Sequence, residues 1–356
     1  MRIAVDGRPL RHPFVGIGVY TREILSRIGR DHELFIYLDR DLPEPPDIPG
    51  VCRAGSGRRL TGLLTANVVF PRWARQDAVD VFFSPRHHLP LALRNIPSVV
   101  TIHDLVWRVA PETMKPLNRA LDAMLMPIAL AQADRVIAVS PDTANRIEAF
   151  CGRSDVDTVM LAPRQLPPPE PFEHGRPFFL FVGTKEPRKN LPGTLDGFRR
   201  AVAAGLDHDL VLAGSDGWEP GIAERIAASG LSDRVVDLGP ISSARLAGVY
   251  QACSALVLAS FYEGFGIPLV EAMAHGKPVI TSNNGAMAEI AGDAALFVDP
   301  ANAASIARAF LKLERDQDTR QRLAANAHRR AKSFSWDRAA RETVEVLATA
   351  SAPHLG

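Results

Sequence analysis

Two carboxylates, Glu263 and Glu271, stand with seven residues between them in the stretch SFYEGFGIPLVEAMAHGKPVITSNNGAMAE, residues 260–289. A carboxylate accepts hydrogen bonds from hydroxyls. One at a loop tip and one on the inner face of the following helix can therefore hold the two ends of an elongated, hydroxyl-rich ligand. Between them Gly264 and Gly266 bracket Phe265, so the backbone can approach a ligand without a Cβ in the way. Pro268 suits a first helical turn, and LVEAMAHG, from Leu269, reads as a short helix stopped by Gly276. The N–H groups at its start favour an anion, for which a phosphate is the natural guest.

The elements that must position this turn are strands of parallel sheets. ALVLAS, just before it, is a short apolar run bounded by turn residues, as in a strand buried on both faces. Similar runs recur in the first half as RIAVD (2–6), LFIYL (34–38), VFF (81–83), SVVTI (98–102), VIAVS (136–140) and TVML (158–161). QLPPPEPFEHGRP then reads as a semi-rigid linker, after which come FFLFVG (178–183), LVLAG (210–214), VVDLG (235–239), PVITS (278–282) and ALFVD (295–299). Strand runs alternating with helical patterns predict two doubly wound α/β domains. The expected divisions are 1–170, 171–335 and a last helix, 336–356, capped by Ser335. In such sheets ligands sit at the carboxyl ends of the strands, which in the second half are Gly183-Thr184, Gly214-Ser215, Gly239-Pro240-Ile241, 260–266 and 282–285.

The order Tyr262-Glu263-Gly264-Phe265-Gly266, Pro268, Glu271-Ala272, Gly276-Lys277-Pro278-Val279 resembles the donor-sugar motif of the retaining Glu-x7-Glu glycosyltransferases, glycosyltransferase family 4, including bacterial mannosyltransferases of polysaccharide assembly. The resemblance implies the GT-B fold, two Rossmann-like domains facing a central cleft. The first would take the acceptor, the second the nucleotide-sugar donor, and the last helix would cross back to the first. It places Glu263 against the transferred sugar, Glu271 beside the ribose, and Gly264, Phe265, Gly266 and Leu269 around the donor. GTKEPRKN (183–190) resembles the donor-phosphate loop, in which Lys189 matches the family lysine. Thr184 stands where many members have Arg, and Arg188 is the expected substitute, since only a guanidinium offers a bidentate contact to phosphate. Gly16 and Gly18 match the G-I-G loop over the donor's distal phosphate; with Thr21 at the third position of G-x-G-x-x-G, a nicotinamide cofactor is not expected. His103, ending SVVTI, would touch the transferred sugar, and His87 and His88 fall on the acceptor side.

The implied activity is transfer of a hexose, such as mannose, from a GDP- or UDP-linked donor to a saccharide or lipid-linked saccharide, with no cofactor. A sugar-nucleotide epimerase or hydrolase of the same fold, and a non-catalytic nucleotide-sugar-binding protein, remain alternatives. A net charge of +1 over 356 residues gives no global attraction to nucleic acid. No uncharged apolar run approaches the ~18 residues of a membrane span, and Asp6 and Arg8 interrupt any signal-peptide core. Three scattered cysteines, Cys52, Cys151 and Cys253, suggest buried thiols in a reducing cytosol. The D-x-D pairs Asp39/Asp41, Asp155/Asp157 and Asp316/Asp318 lack further ligands at metal spacing and read as surface charge, so metal-independent transfer is expected. Residues 51–76 carry Arg53, Arg58, Arg59, Arg72 and Arg75, interleaved with Phe70 and Trp73 and without an acidic residue. That mix can contact anionic lipid at the cytoplasmic face of a membrane through 53–75.

Overall fold

The computed structural model describes residues 1–12, 16–42, 47–55, 62–93 and 95–352. The chain divides into two compact units, Met1–Arg108 with Pro116–Leu161 and Ser335–Gly356, and Val109–Lys115 with Ala162–Phe334.

The first unit is built on seven parallel strands: β1 Arg2–Asp6, β2 Glu33–Leu38, β3 Val51–Ala54, β4 Val81–Ser84, β5 Ser98–Ile102, β6 Arg135–Ala138 and β7 Val156–Thr158, in the order β3-β2-β1-β4-β5-β6-β7. The second has six: β8 Phe178–Val182, β9 Asp209–Ala213, β10 Val235–Asp237, β11 Ala255–Leu258, β12 Val279–Ser282 and β13 Ala295–Val298, in the order β10-β9-β8-β11-β12-β13. The winding reverses between β1 and β4 in one sheet and between β8 and β11 in the other, and such switch points are where open α/β sheets bind ligands. FFLFV of β8 is buried at every residue, the apolar continuity of a parallel strand covered on both faces. Polar residues are tolerated in β12 because each is satisfied: Thr281 Oγ1 donates to Leu258 O (2.9 Å) and Ser282 Oγ to Ser260 O (2.6 Å).

The last helix, Trp336–Ser351, starts at Ser335, whose Oγ accepts from Arg338 N at 3.4 Å. Within the first unit it buries Trp336 beside Tyr20, with ring centroids 6.4 Å apart. Arg27 in the helix Ile17–Ile28 pairs with Asp337 at 2.7 Å.

Several sequence expectations change. The proline-rich run 165–177, read as a semi-rigid linker, has no regular secondary structure and is anchored within the second unit. Glu170 N donates to Ala244 O at 3.0 Å, and Gly248 lets Glu170 O lie where any Cβ would be 1.8 Å from it. The strand expected at TVML is Val156–Thr158 instead, because Arg135 on β6 holds Asp157 at 2.7 Å and fixes that register. Residues 51–54, absent from the strand runs read in the sequence, form the edge strand β3. Phe70 and Trp73 pack into the core with Tyr37, so the helix Gly62–Gln76 exposes Leu64, Val68 and Arg72 instead. Arg53 pairs with Asp77 at 2.7 Å, while Arg58 and Arg59 lie outside the described residues. Asp39 is not surface charge but 3% exposed and bridged to Arg11 at 3.0 Å. Asp316 caps the helix Gln317–Ala331. Of the cysteines only Cys253 is buried.

Candidate functional site

Glu263 follows β11 and the loop 183–190 follows β8, so the switch point of the second sheet brings them together. Asn190 locks the two loops. It adopts φ +52, caps the helix Leu191–Ala203 by accepting from Gly193 N, and donates through Nδ2 to Ala259 O (3.0 Å) and Pro300 O (2.7 Å). Phe261 N donates to Arg188 O at 2.8 Å. Gly183, at φ +147, leaves room that a Cβ would take from Lys189 Cε, 2.8 Å away.

On that frame Glu263, 7% exposed, accepts from Lys189 Nζ (2.8 Å) and Ser260 Oγ (3.1 Å) on Oε1 and from Arg188 Nη1 on Oε2. Burial by itself would raise its carboxyl, but Arg188 and Lys189 outweigh that and hold it at about 2. It is therefore an anion at neutral pH, and because Arg188 Nε also donates to Glu186 Oε2 at 3.0 Å, the cluster sets two carboxylates against two cations. Lys189 is buried and Arg188 half-buried; they are the two cations that the resemblance assigns to a diphosphate.

Glu271, on the helix Ile267–Ala274, is 1% exposed and equally committed. Arg164 binds it through Nε to Oε1 and through Nη2 to Oε2 (3.0 Å), and Tyr250 Oη donates to Oε2 at 2.8 Å. Burial alone would lower the Arg164 guanidinium; Glu271 reverses this and raises it. Arg164 and Tyr250 were not singled out from the sequence. The available signal was Glu271 itself: a carboxylate inside the apolar run LVEAMA must be buried, and a buried carboxylate needs a cation.

The other expected donor contacts divide. Phe265 (4% exposed) packs edge-on against Phe334, 5.9 Å between centroids, and Leu269 is 0% exposed. Their side chains serve the core, leaving only backbone to face a ligand. Gly266 sits at φ +90, a conformation L side chains rarely adopt, and begins the helix. Leu269 N is spent on Gly266 O (2.9 Å) and Pro268 has no N–H, so the helix start offers fewer donors than its sequence suggests. Gly264 is buried in this turn, Thr184 is half-buried, and Ser215 and Pro240 are exposed beside the half-buried Ile241. Lys185, expected with the phosphate loop, is diverted. Its Nζ binds Asp216 (2.8 Å) and Asp237, and it lines a separate cavity of about 300 Å³ with Glu219 and Glu224.

In the first unit His103 directly follows β5, 9% exposed, with Nε2 2.9 Å from Pro85 O and its ring edge-on to Tyr20 (4.9 Å) and His87 (5.5 Å). Burial first, then His87, pushes its imidazole down to about 3, and burial does the same to His87. Both rings are neutral near pH 7. Since a carbonyl can only accept, Nε2 of His103 carries the proton and Nδ1 can accept from a hydroxyl. Gly16, at φ +42 and with no atom of the described residues within 4 Å of where a Cβ would stand, begins the helix Ile17–Ile28. Gly18 is different: a Cβ there would lie 1.9 Å from His12 O, so its smallness serves packing. Among the described residues no group of three His, Cys, Asp or Glu side chains is placed to hold a metal, and no helix is long and apolar enough to cross a membrane.

Two family profiles divide the chain between them. The one described as Glycosyltransferase Family 4 matches residues 14–164, and Glycosyl transferases group 1 matches 164–330. The O-antigen chain mannosyltransferase B of Escherichia coli is 27% identical over 97% of this chain and 99% of its own length. Among solved structures, the sucrose-phosphate synthase of Thermosynechococcus elongatus superposes with a TM-score of 0.79 at 21% identity, covering 98% of both chains. HepE of Anabaena, solved with UDP-glucose, gives 0.75 at 18% identity over 98% of this chain and 100% of its own. With one profile on each unit, the two parallel sheets and the Glu263 turn of the second, the chain belongs to glycosyltransferase family 4 and is a glycosyltransferase of the GT-B fold.

Proposed function

We propose that the enzyme transfers mannose from a nucleoside-diphosphate donor, with retention of configuration, to a saccharide or lipid-linked saccharide in polysaccharide or glycolipid assembly. The observation that carries this reading is the anionic Glu263 clamped by Arg188 and Lys189 at the β8/β11 switch point. The mannosyltransferase similarity along nearly the whole chain supports the choice of sugar, and HepE, bound to UDP-glucose, supports the donor class.

The chemistry follows from charge. As the glycosidic bond stretches, negative charge grows on the leaving phosphate and positive charge on the sugar. Arg188 and Lys189 stabilise the first and Glu263 the second, without reorganising. Arg164 and Tyr250 hold Glu271 ready for hydroxyls farther along the donor. His103 Nδ1 accepts from a hydroxyl of the transferred sugar. The departing phosphate takes the acceptor's proton on the same face, so no protein nucleophile is needed.

Two fixed cations can do the work of a divalent ion, so transfer is expected to persist in excess EDTA. A cytoplasmic, membrane-peripheral location suits a lipid-linked acceptor, with Arg72 and the exposed Leu64 and Val68 turned outward on one helix. Thermal-shift screening of GDP, UDP and ADP sugars should give one clear stabiliser by mass action, followed by transfer from that donor with the anomeric configuration kept. Inversion, or activity abolished by EDTA and restored by Mn²⁺, sinks the mechanism.

A further inference from the structure

The first sheet has its own switch point, between β1 and β4, and it opens into a cavity of about 310 Å³, at the low end of small-ligand pockets. Its polar wall comes from the strand ends: Arg8 and Arg11 after β1, Asp39 and Arg40 after β2, Arg86 and His88 after β4. Four guanidiniums face one carboxylate.

The pairing is uneven. Arg8 is held by the fully buried Asp6 (2.5 Å) behind the wall. Arg11 binds Asp39 Oδ2 at 3.0 Å, and Arg40 reaches the same oxygen only at 3.7 Å. Asp122 lies 2.9 Å from His88. Arg86 is half-buried and has no carboxylate at ion-pair distance among the described residues; Arg8 and Arg11 act on it as like charges, and Asp6 and Asp122 as opposite charges from beyond ion-pair distance. An unpaired guanidinium in such a place is costly unless an anion arrives. A second orphan points the same way: Asp39 Oδ1 is buried with no hydrogen-bond partner among the described residues, an acceptor awaiting a hydroxyl. Leu63, Leu121 and Leu125 complete the wall and suit an ester's carbon skeleton. His88 leads through His87 to His103, with ring centroids 6.4 and 5.5 Å apart, so the pocket lies two rings from the end of β5.

We propose that this pocket seats a phosphate or diphosphate ester carried by the acceptor, with Arg86 and Arg40 on the anion and a hydroxyl of the ester on Asp39 Oδ1. The proposal rests on the reading that the first unit takes the acceptor. It adds that the acceptor is phosphorylated.

Inorganic pyrophosphate is the probe, titrated calorimetrically into the enzyme already saturated with its nucleoside diphosphate, so that the Glu263 site is filled. One pyrophosphate should bind. Arg86→Gln should weaken it at least tenfold, Arg40→Gln about threefold, and Arg86→Lys less than Arg86→Gln, with thermal unfolding unchanged in the exposed-site variant Arg40→Gln. No binding to the parent, or equal affinity in the parent, Arg40→Gln and Arg86→Lys, overturns the proposal. Displacement of pyrophosphate by a soluble glycosyl phosphate assigns a free phosphorylated acceptor. Displacement by phosphatidylcholine vesicles only when they carry a polyprenyl diphosphate assigns a lipid-linked one. If neither displaces it, the pocket is an inorganic-anion site only and the acceptor reading is lost. Should no nucleoside diphosphate bind, the donor reading fails separately, and pyrophosphate titration of Lys189→Gln still tests the pocket.

Discussion

The two sheets reverse their winding in the same way, yet their switch points are charged differently. At β8/β11 the carboxylate Glu263 is saturated by Arg188, Lys189 and Ser260. At β1/β4 four guanidiniums line a pocket with one carboxylate, which only Arg11 and Arg40 reach, and one of that carboxylate's oxygens is left over. A saturated site keeps its geometry before a ligand arrives and so suits chemistry. An unsaturated one gains most from an anion and so suits capture. Architecture places a site, while local charge balance decides what the site does.

The largest expected effect tests how tightly the second unit depends on balance. Arg164→Ala would leave Glu271, 1% exposed, with Tyr250 as its one remaining donor among the three described. Breaking a buried pair by removing one partner costs about 3–5 kcal/mol. Chemical denaturation should show that loss in the transition of the second unit. Replacing both residues, Arg164→Met with Glu271→Met, should recover much of it. A single-variant loss under about 1 kcal/mol would mean the pair is solvated, as for exposed pairs.

Next is Glu263→Gln. Its contacts strengthen as the sugar gains positive charge, so kcat should fall by ~10-fold to ~1,000-fold with donor KM little changed. Glu271→Gln should raise donor KM more than it lowers kcat. Both need saturating acceptor and far-UV circular dichroism confirming the fold. Values within about twofold of the parent for both variants would remove the two glutamates from the reaction.

What the sequence revealed follows the same division between architecture and charge. The strands, the Glu263 turn and the helix cap Ser335 were readable because each rests on local chemistry: apolar runs, glycine and proline placement, a hydroxyl before a helix. Glu263 and Glu271 could be picked out, but their partners could not all be. Lys189 lies in a recognisable loop, whereas Arg164 reaches Glu271 across 107 residues of chain. Phe265 and Leu269 sit in the motif at the expected spacing, and only packing against Phe334 and the core reveals that their side chains are turned away from a ligand. Arg8, Arg11 and Arg86 carry no motif at all, and Asp39 only a D-x-D pairing that read as surface charge. They meet because β1, β2 and β4 end side by side, which is a fact of strand order.

Acid should separate the two units. His87 and His103 in the first have imidazoles near 3, below their ordinary 6.5. The unfolded chain then binds more protons than the folded one between those values, so stability is complete above pH 6.5 and is lost as pH falls. From pH 7 to pH 5.5 the first unit should lose about 1–2.5 kcal/mol. In the second unit burial also lowers His275, which is half exposed and contributes less. Glu263, held near 2 from 4.5, begins to cost stability only below pH 4.5. Thermal unfolding followed between pH 7.5 and 4 should therefore show the first unit's transition moving down first, and His87→Gln with His103→Gln should flatten that movement. Equal shifts in both transitions, or a first-unit transition indifferent to pH above 4.5, would mean the two imidazoles are solvated.

The smallest effect probes how saturated the Glu263 site is. Ser260 Oγ is a neutral donor to Glu263, at 3.1 Å on the oxygen that Lys189 already holds. Ser260→Ala removes that hydrogen bond but leaves both cations and the backbone carbonyl that accepts from Ser282. With the charge still balanced, the loss should be about 1 kcal/mol, or roughly fivefold in kcat, with the dependence of activity on acid unchanged. The measurement is steady-state kinetics beside Glu263→Gln at the same donor and acceptor concentrations. A loss as large as that of Glu263→Gln would show that the cations alone do not fix the carboxylate. Its position would then depend on the Ser260 hydroxyl, and the contrast drawn between a saturated site at β8/β11 and an unsaturated one at β1/β4 would fail.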